Sequence, residues 1–339
     1  MNGESTSAPW RRRPFGASQW SSFACLLLAI AWPPPLRAAG AVVREETNLV
    51  LRLGFSSSVV ANVNENDAKA ALKIWTQAIA KERGAYIPTD AQVLNGAEAI
   101  NRAVQGKLID ALTMTTEEYW MLGGERMSTN VILGINGGVA TEEYLLLVRT
   151  DRGFARLDDL KGHSLAFSQN SRDSLAPVWF ETLLLKSGLG QTIQFCGRIV
   201  QGAKVSQAVL PVFFRQTDAC VVSRRAFETM TELNPQVGQQ LRILASSPPV
   251  VPVVFLFRAD YADPARDEII TEIEHVHSTV ADQQVLTLFQ CDRVEVCPVS
   301  ALEGTLELLA THARLSKMPN QAEPARAGLP LTDAKTDGP

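Results

Sequence analysis

Two short passages of this chain echo one another: Ile109-Asp110-Ala111-Leu112-Thr113 and Thr217-Asp218-Ala219-Cys220-Val221-Val222-Ser223. Each sets an aspartate before apolar residues, follows a predicted helix and ends on hydroxyls. The second aspartate comes 108 residues after the first. A repeat on that scale implies two similar α/β lobes in one chain, each with a buried strand entered at its aspartate. Ligands of open α/β sheets gather beyond the carboxyl ends of parallel strands. The repeat therefore locates a site at the hydroxyls, with the aspartates at the opposite, entry end.

The rest of the chain supports that organisation. Leu49 to Phe55 reads as a strand, and Asn66 to Arg83 reads as a helix from the spacing of Ala68, Ala71, Leu72, Trp75 and Ile79. Asn95 to Gln105 is a second helix. Thr115-Thr116-Glu117-Glu118 is a capping box opening a third, because a threonine followed three residues later by a glutamate can satisfy two free N–H groups reciprocally. Glu143 to Arg149 is a strand leading out of the first lobe, preceded by Glu142 and Glu143 as solvated charges. The strand His163 to Phe167, a helix from about Leu175 to Ser187, a strand at Thr192 to Cys196 and a helix at Lys204 to Phe214 continue the alternation. Alternating strands and helices predict parallel sheets. Leu241 to Ala245 and Val250 to Phe257 are the last strands, the second returning to the first lobe. Two crossing strands make a hinge. Helices from about Asp263 to Leu288 and Ser300 to Ser316 are expected to pack back on the first lobe.

The chain of 339 residues has room for two domains of ordinary size, and its net charge of −4 argues against a nucleic-acid partner. Arg11-Arg12-Arg13, the ten apolar residues Phe23 to Trp32 and the small residues Ala39-Gly40-Ala41 read as a signal peptide over residues 1–41. The apolar stretch is half the roughly 20 residues a spanning helix needs. Export would be to the periplasm, by either the general or the twin-arginine route. Residues 42–142 and 251–316 are then expected to form one lobe, 143–250 the other, and 317–339 a disordered tail. Four cysteines follow the signal peptide; Cys291 and Cys297, flanking a short segment, are the disulfide candidate, while pairing of Cys196 and Cys220 is left open.

Four hydroxyl clusters sit at predicted strand ends: Ser56 to Ser58, Thr113 to Thr116, Ser168 to Ser174, and Ser223-Arg224. Free N–H groups and the helix dipole favour an anion at such ends. The candidate ligand-binding residues are Ser56, Ser57, Thr113, Thr115, Thr116, Tyr119, Ser168, Asn170, Ser171, Arg172, Ser174, Ser223 and Arg224. The competing explanation is that these residues only cap helices, with Ser171 or Asp173 as the cap before Leu175. Asp173 opposes a bound anion unless one of the two carries a proton. We find no metal-binding spacing, nucleotide fingerprint or nucleophile motif, so neither a metal, a cofactor nor an enzyme activity is expected.

The runs LRLGFSS, NDAKAALKIWTQAIAKERG and GKLIDALTMTTEEYWML resemble the first lobe of the phosphate/phosphite/phosphonate-type substrate-binding proteins of ABC transporters. LDDLKGHSLAFSQNSRDSLAPVWFETLLLKSGL and TDACVVSRRAFETM resemble their second lobe, so the likeness spans about Leu49 to Phe257. The resemblance implies a type II periplasmic-binding fold: α/β, two lobes, parallel-dominated sheets and a two-strand hinge, closing on an oxyanion. It also implies that Ser171-Arg172-Asp173-Ser174 is the phosphoryl-gripping turn, with Leu175 where the family has glycine. Ser223-Arg224 stand near the place of an acidic residue that receives amine-bearing ligands, and Tyr119 falls near a ligand-contacting aromatic.

The expected function is capture of a small anion by an exported monomer for an ABC permease. The rival roles are a sensing module for a membrane kinase and, on the same scaffold, an enzyme resembling pyrimidine-precursor synthases.

Overall fold

The two aspartates lie at matching strand entries. In the computed structural model of the protein, which describes residues 50–60, 66–67, 70, 88–262, 266–267, 270–271, 282–283, 286–287 and 290–317, Asp110 precedes β3 (Ala111–Thr115) and Asp218 precedes β8 (Ala219–Ser223). Strand β1 (Leu51–Ser56) lies parallel to β3 with Leu53 opposite Ala111. Strand β6 (Ser164–Ser168) lies parallel to β8 with Leu165 opposite Ala219. The register relative to the aspartate is thus the same in both lobes. Asp110 accepts the Arg52 backbone N–H at 2.9 Å, and Asp218 accepts that of Ser164 at 3.0 Å. Each carboxylate fixes the start of the neighbouring strand, which sets where both strands end.

Among the described residues there are two mixed sheets. The first runs in the order β11-β4-β10-β3-β1-β2 and the second β7-β6-β8-β5-β9. The additional strands are β2 (Thr89–Leu94), β4 (Asn130–Ile135), β5 (Tyr144–Arg149), β7 (Arg198–Gly202), β9 (Leu241–Ser246), β10 (Val253–Phe257) and β11 (Arg293–Pro298). The expectation of parallel-dominated sheets is corrected to mixed ones. Strand β10, returning from the other lobe, inserts antiparallel between β3 and β4, while β5 runs antiparallel to both β8 and β9.

The crossing segments themselves are not long strands. Glu142 and Val250 form an isolated antiparallel bridge through N–H···O bonds of 2.7 and 2.9 Å. Beyond it, Thr116 donates its backbone N–H to the Pro252 carbonyl at 2.9 Å, and Val251 donates to the Thr305 hydroxyl at 2.8 Å.

Four local expectations change. Thr192 to Cys196 is not a strand; Thr192–Phe195 is one helical turn, and the strand is Arg198–Gly202. Five residues of mixed apolar character fit either state, and the downstream strand supplies the parallel partner of β6. Glu142 is not solvated but buried against Arg172, and Glu143 pairs with Arg224. The C-terminal helix Glu303–Ser316 is not confined to the first lobe: Leu302 before it joins that core, whereas Leu308 and Leu309 pack with Trp179 and Phe180 of the second. Finally, Cys291 and Cys297 are free thiols. Arg293–Pro298 is extended, and at roughly 3.3 Å per residue this separates the two sulfurs far beyond the ~7 Å Cα limit of a disulfide. Cys196 and Cys220 are free too, packed in different clusters. The helix expected over Asn66 to Arg83 and that over Asp263 to Leu288 lie for the most part outside the described residues, as do the signal peptide and nearly all of the tail.

Candidate functional site

Each hydroxyl cluster except part of the Thr113 group lies at a strand-to-helix junction. Helix α1 (Ser57–Val60) follows β1; α2 (Gly96–Gln105) leads through the Asp110 turn into β3; and α3 (Thr116–Leu122) follows β3. In the second lobe a 3-10 turn (Ser171–Asp173) and α4 (Ala176–Lys186) follow β6, and α5 (Arg224–Leu233) follows β8. Helix α1 lies in contact with the Ser171–Asp173 turn, so one junction of each lobe meets there.

A buried carboxylate organises each side. In the first lobe Glu118, only 7% exposed, closes the expected capping box: its Oε2 accepts the Thr115 N–H at 2.9 Å and the Thr115 hydroxyl at 3.1 Å. Its Oε1 accepts the Ser56 hydroxyl at 2.6 Å and the Ser58 hydroxyl at 2.9 Å. Glu118 therefore ties the end of β1 to the end of β3. In the second lobe Asp173, 1% exposed, accepts Asn170 Nδ2–H at 2.7 Å, the Ser223 N–H at 3.2 Å and the Ser168 hydroxyl. It ties the end of β6 to the end of β8. Burial pushes its carboxyl up to about 6, with nearby Glu142 adding to the shift and the Ser168 and Asn170 bonds opposing it. Neither Ser171 nor Asp173 caps α4, whose N-cap residue Leu175 makes no side-chain cap bond; the cap lies one turn earlier, where the Asn170 side chain accepts the Asp173 N–H at 2.9 Å and starts the 3-10 turn.

The arginines expected to grip an anion have other partners. Arg172 donates Nε–H to Glu142 and Nη1–H to the Gln290 carbonyl at 3.0 Å, and its own carbonyl accepts the buried Tyr144 hydroxyl at 2.8 Å. Arg224 makes two bonds to Glu143, at 2.7 and 2.8 Å. Its guanidinium holds the Glu143 carboxyl below its usual range.

The remaining candidates divide. Thr116 donates its hydroxyl to the Val251 carbonyl at 2.5 Å, and Ser174 reaches the Pro252 carbonyl at 3.5 Å. Thr113 stays inside the sheet, paired with Phe55 and Phe255 two residues before the strand ends. Tyr119 lies in the core with Ile100 and Met127, its hydroxyl against Gly124 after the helix, and burial raises its phenol above the usual value. Neither is brought to the junctions. Ser57, Ser171 and Ser223 are at the junctions with no side-chain hydrogen bond among the described residues. Glu118 and Asp173 were each visible in the sequence, one as a capping residue and one as an obstacle to an anion; their shared role joins residues far apart in the chain, and no local pattern announces it. No group of side chains suited to a metal ion occurs among the described residues, nor does a helix long and apolar enough to cross a membrane.

Two mixed sheets with flanking helices and a paired crossing between them define a two-lobe α/β fold of the periplasmic binding-protein kind. Residues 58–298 match the family model for the phosphonate periplasmic substrate-binding protein of ABC transporters, and the chain belongs to that family. No curated protein matches. Among solved structures, XAC2383 from Xanthomonas citri bound to ATP superposes with a TM-score of 0.58 at 18% identity, over 78% of this chain and 98% of that one. PhnD1 from Prochlorococcus marinus in complex with methylphosphonate gives 0.55 at 13% identity, over 80% and 100%. The binding component of an ABC phosphonate transporter from Pseudomonas aeruginosa, PA3383, gives 0.54 at 13% identity, over 79% and 87%. At these identities the likeness is one of fold. The family is one of periplasmic transport binding proteins.

Proposed function

We propose that this protein captures a small phosphorus oxyanion, a phosphonate or phosphate, in the cleft between its lobes and delivers it to an ABC permease. The observation that carries this reading is the meeting of the Ser171–Asp173 turn and α1, each at the carboxyl end of a parallel strand. Backbone N–H groups at such ends, with Ser57, Ser171 and Ser223 beside them and Ser174 held only at 3.5 Å from the Pro252 carbonyl, supply donors without a net cation. Ligand contacts with both lobes would favour the closed form by differential affinity. Residues 42–142 with 251–316, and 143–250, are the two moving bodies in this reading. Residues 1–41 serve as the export signal, and the mature chain acts as a monomer. The family match favours a permease as partner over a sensor kinase.

The experiment is calorimetric titration of methylphosphonate into the wild type and into a Ser171→Ala/Ser174→Ala variant. Direct hydroxyl bonds predict a loss of about 1–3 kcal/mol in binding. Unchanged affinity would remove these serines from the ligand site.

A further inference from the structure

Two turns at one edge of the first sheet are tied into a single platform. Asn136 to Val139 follows β4, and Gln290 to Asp292 precedes β11, its antiparallel partner. Asp292 donates its backbone N–H to the Ile135 carbonyl at 2.7 Å, and its carboxylate accepts the Gly137 N–H at 2.6 Å. Asn136 donates Nδ2–H to the Gln290 carbonyl at 3.2 Å. Gly137 and Gln290 both take left-handed backbone conformations, at φ +56° and φ +54°. For Gln290 that conformation is costly and persists because its surroundings hold it.

The platform presents two backbone carbonyls to the other lobe. Arg225, in the first turn of α5, donates Nη2–H to the Asn136 carbonyl at 2.5 Å. Arg172, in the turn after β6, donates Nη1–H to the Gln290 carbonyl at 3.0 Å. Each carbonyl also accepts a bond from within the platform, Asn136 from the Val139 N–H at 3.3 Å and Gln290 from the Asn136 amide, so both lone pairs are used. The close approach depends on a missing side chain: a Cβ at Gly137 would overlap the Arg225 guanidinium. Arg172 is also paired with buried Glu142, whereas Arg225 makes no ion pair among the described residues.

We propose that Arg225 is a positioning residue for ligand capture: with Arg172 it latches one lobe to the other through backbone carbonyls and biases the lobes toward the closed arrangement without touching the ligand. The proposal rests on the reading that the two lobes close on a ligand between them. An affinity seen through a closing equilibrium is the intrinsic affinity multiplied by the fraction of protein that is closed. A latch that changes this fraction therefore scales the affinity of every ligand by one factor. A residue that touches the ligand changes affinities unequally, because ligands differ in the atoms they place against it.

The test applies small-angle X-ray scattering and calorimetry to the full mature chain. Without ligand, Arg225→Ala and Gly137→Ala should have a larger radius of gyration than the wild type. Gly138→Ala should match the wild type, since Gly138 is also left-handed but a Cβ there opens on empty space. Titrated with methylphosphonate, phosphite and phosphate, both latch variants should bind about fivefold to tenfold more weakly, by the same factor for each ligand that binds the wild type. Arg225→Lys keeps a cationic donor on a differently shaped head and should recover part of the loss. Scattering of Arg225→Ala identical to that of the wild type would overturn the proposal. So would affinities that stay unchanged or that fall by unequal factors, the second result making Arg225 a ligand contact. If none of the three ligands binds the wild type, the ligand reading fails and the scattering comparison still decides the latch. If Arg225→Ala does not fold, Gly137→Ala and Arg225→Lys carry the same measurements.

Discussion

Replacing Asp173 by asparagine should change how stability depends on pH, and the sign follows from its burial. The carboxyl titrates at about 6 in the folded protein, raised from 3.8, chiefly because burial disfavours its charge. A carboxyl raised on folding contributes stability that is fully present below the unfolded value and is lost as pH rises through the folded one. The shift of about two units corresponds to about 3 kcal/mol at 1.36 kcal/mol per unit. Asparagine has no such titration, but it loses part of the acceptor set for Asn170, Ser168 and the Ser223 N–H, a cost independent of pH. Urea unfolding of wild type and Asp173→Asn, from about pH 4 to about pH 7.5, separates the two effects. The variant should be least favourable relative to wild type at the acid end and gain about 2–3 kcal/mol on it by the neutral end. A stability difference that stays constant across this range would refute the argument that Asp173 is buried with an unfavourable charge.

Other perturbations probe the frame around the cleft. Asp110→Ala should cost about 2–4 kcal/mol in urea unfolding, since it strips a buried carboxylate from Arg52 and its N–H; a loss below 1 kcal/mol, roughly the worth of one exposed bond, would contradict its place at the strand entry. Gly137 has φ +56° and a Cβ there would strike the Arg225 guanidinium, whereas Gly138, at φ +87°, opens on empty space. Moving that guanidinium breaks its hydrogen bond to the Asn136 carbonyl, so Gly137→Ala should destabilise by about 1 kcal/mol beyond the backbone strain that both glycines share, and equal effects would sink the contact. Denatured, unreduced mature protein should release four reactive thiols, from Cys196, Cys220, Cys291 and Cys297. Two fewer would restore a disulfide.

Much of the frame was legible in the sequence because its signals are local. The Asp-Ala strand entries, the Thr115–Glu118 box and the helix read over Asn95 to Gln105 each depend on neighbours within a turn or two, and each matches the structure. Strands β2, β4 and β11 were not recognised. Thr89–Leu94 and Arg293–Pro298 are sheet-edge strands only partly buried, so they lack clean apolar alternation. The second of these was read as the short segment between a disulfide candidate, Cys291 and Cys297. At the site, the hydroxyl clusters were visible but their bonding was not. Ser56 and Glu118 stand 62 residues apart, as Arg172 and Glu142 stand 30 apart, and only the folded register brings them together. Those distant pairings decide which hydroxyls can donate and which arginines are already neutralised.

The central claim, that the cleft holds a phosphorus oxyanion, is tested most directly by calorimetric titration of the wild-type mature protein with methylphosphonate, phosphite and phosphate. Saturable binding of at least one of them at one site per chain is the predicted result. Heats indistinguishable from dilution for all three would contradict the account.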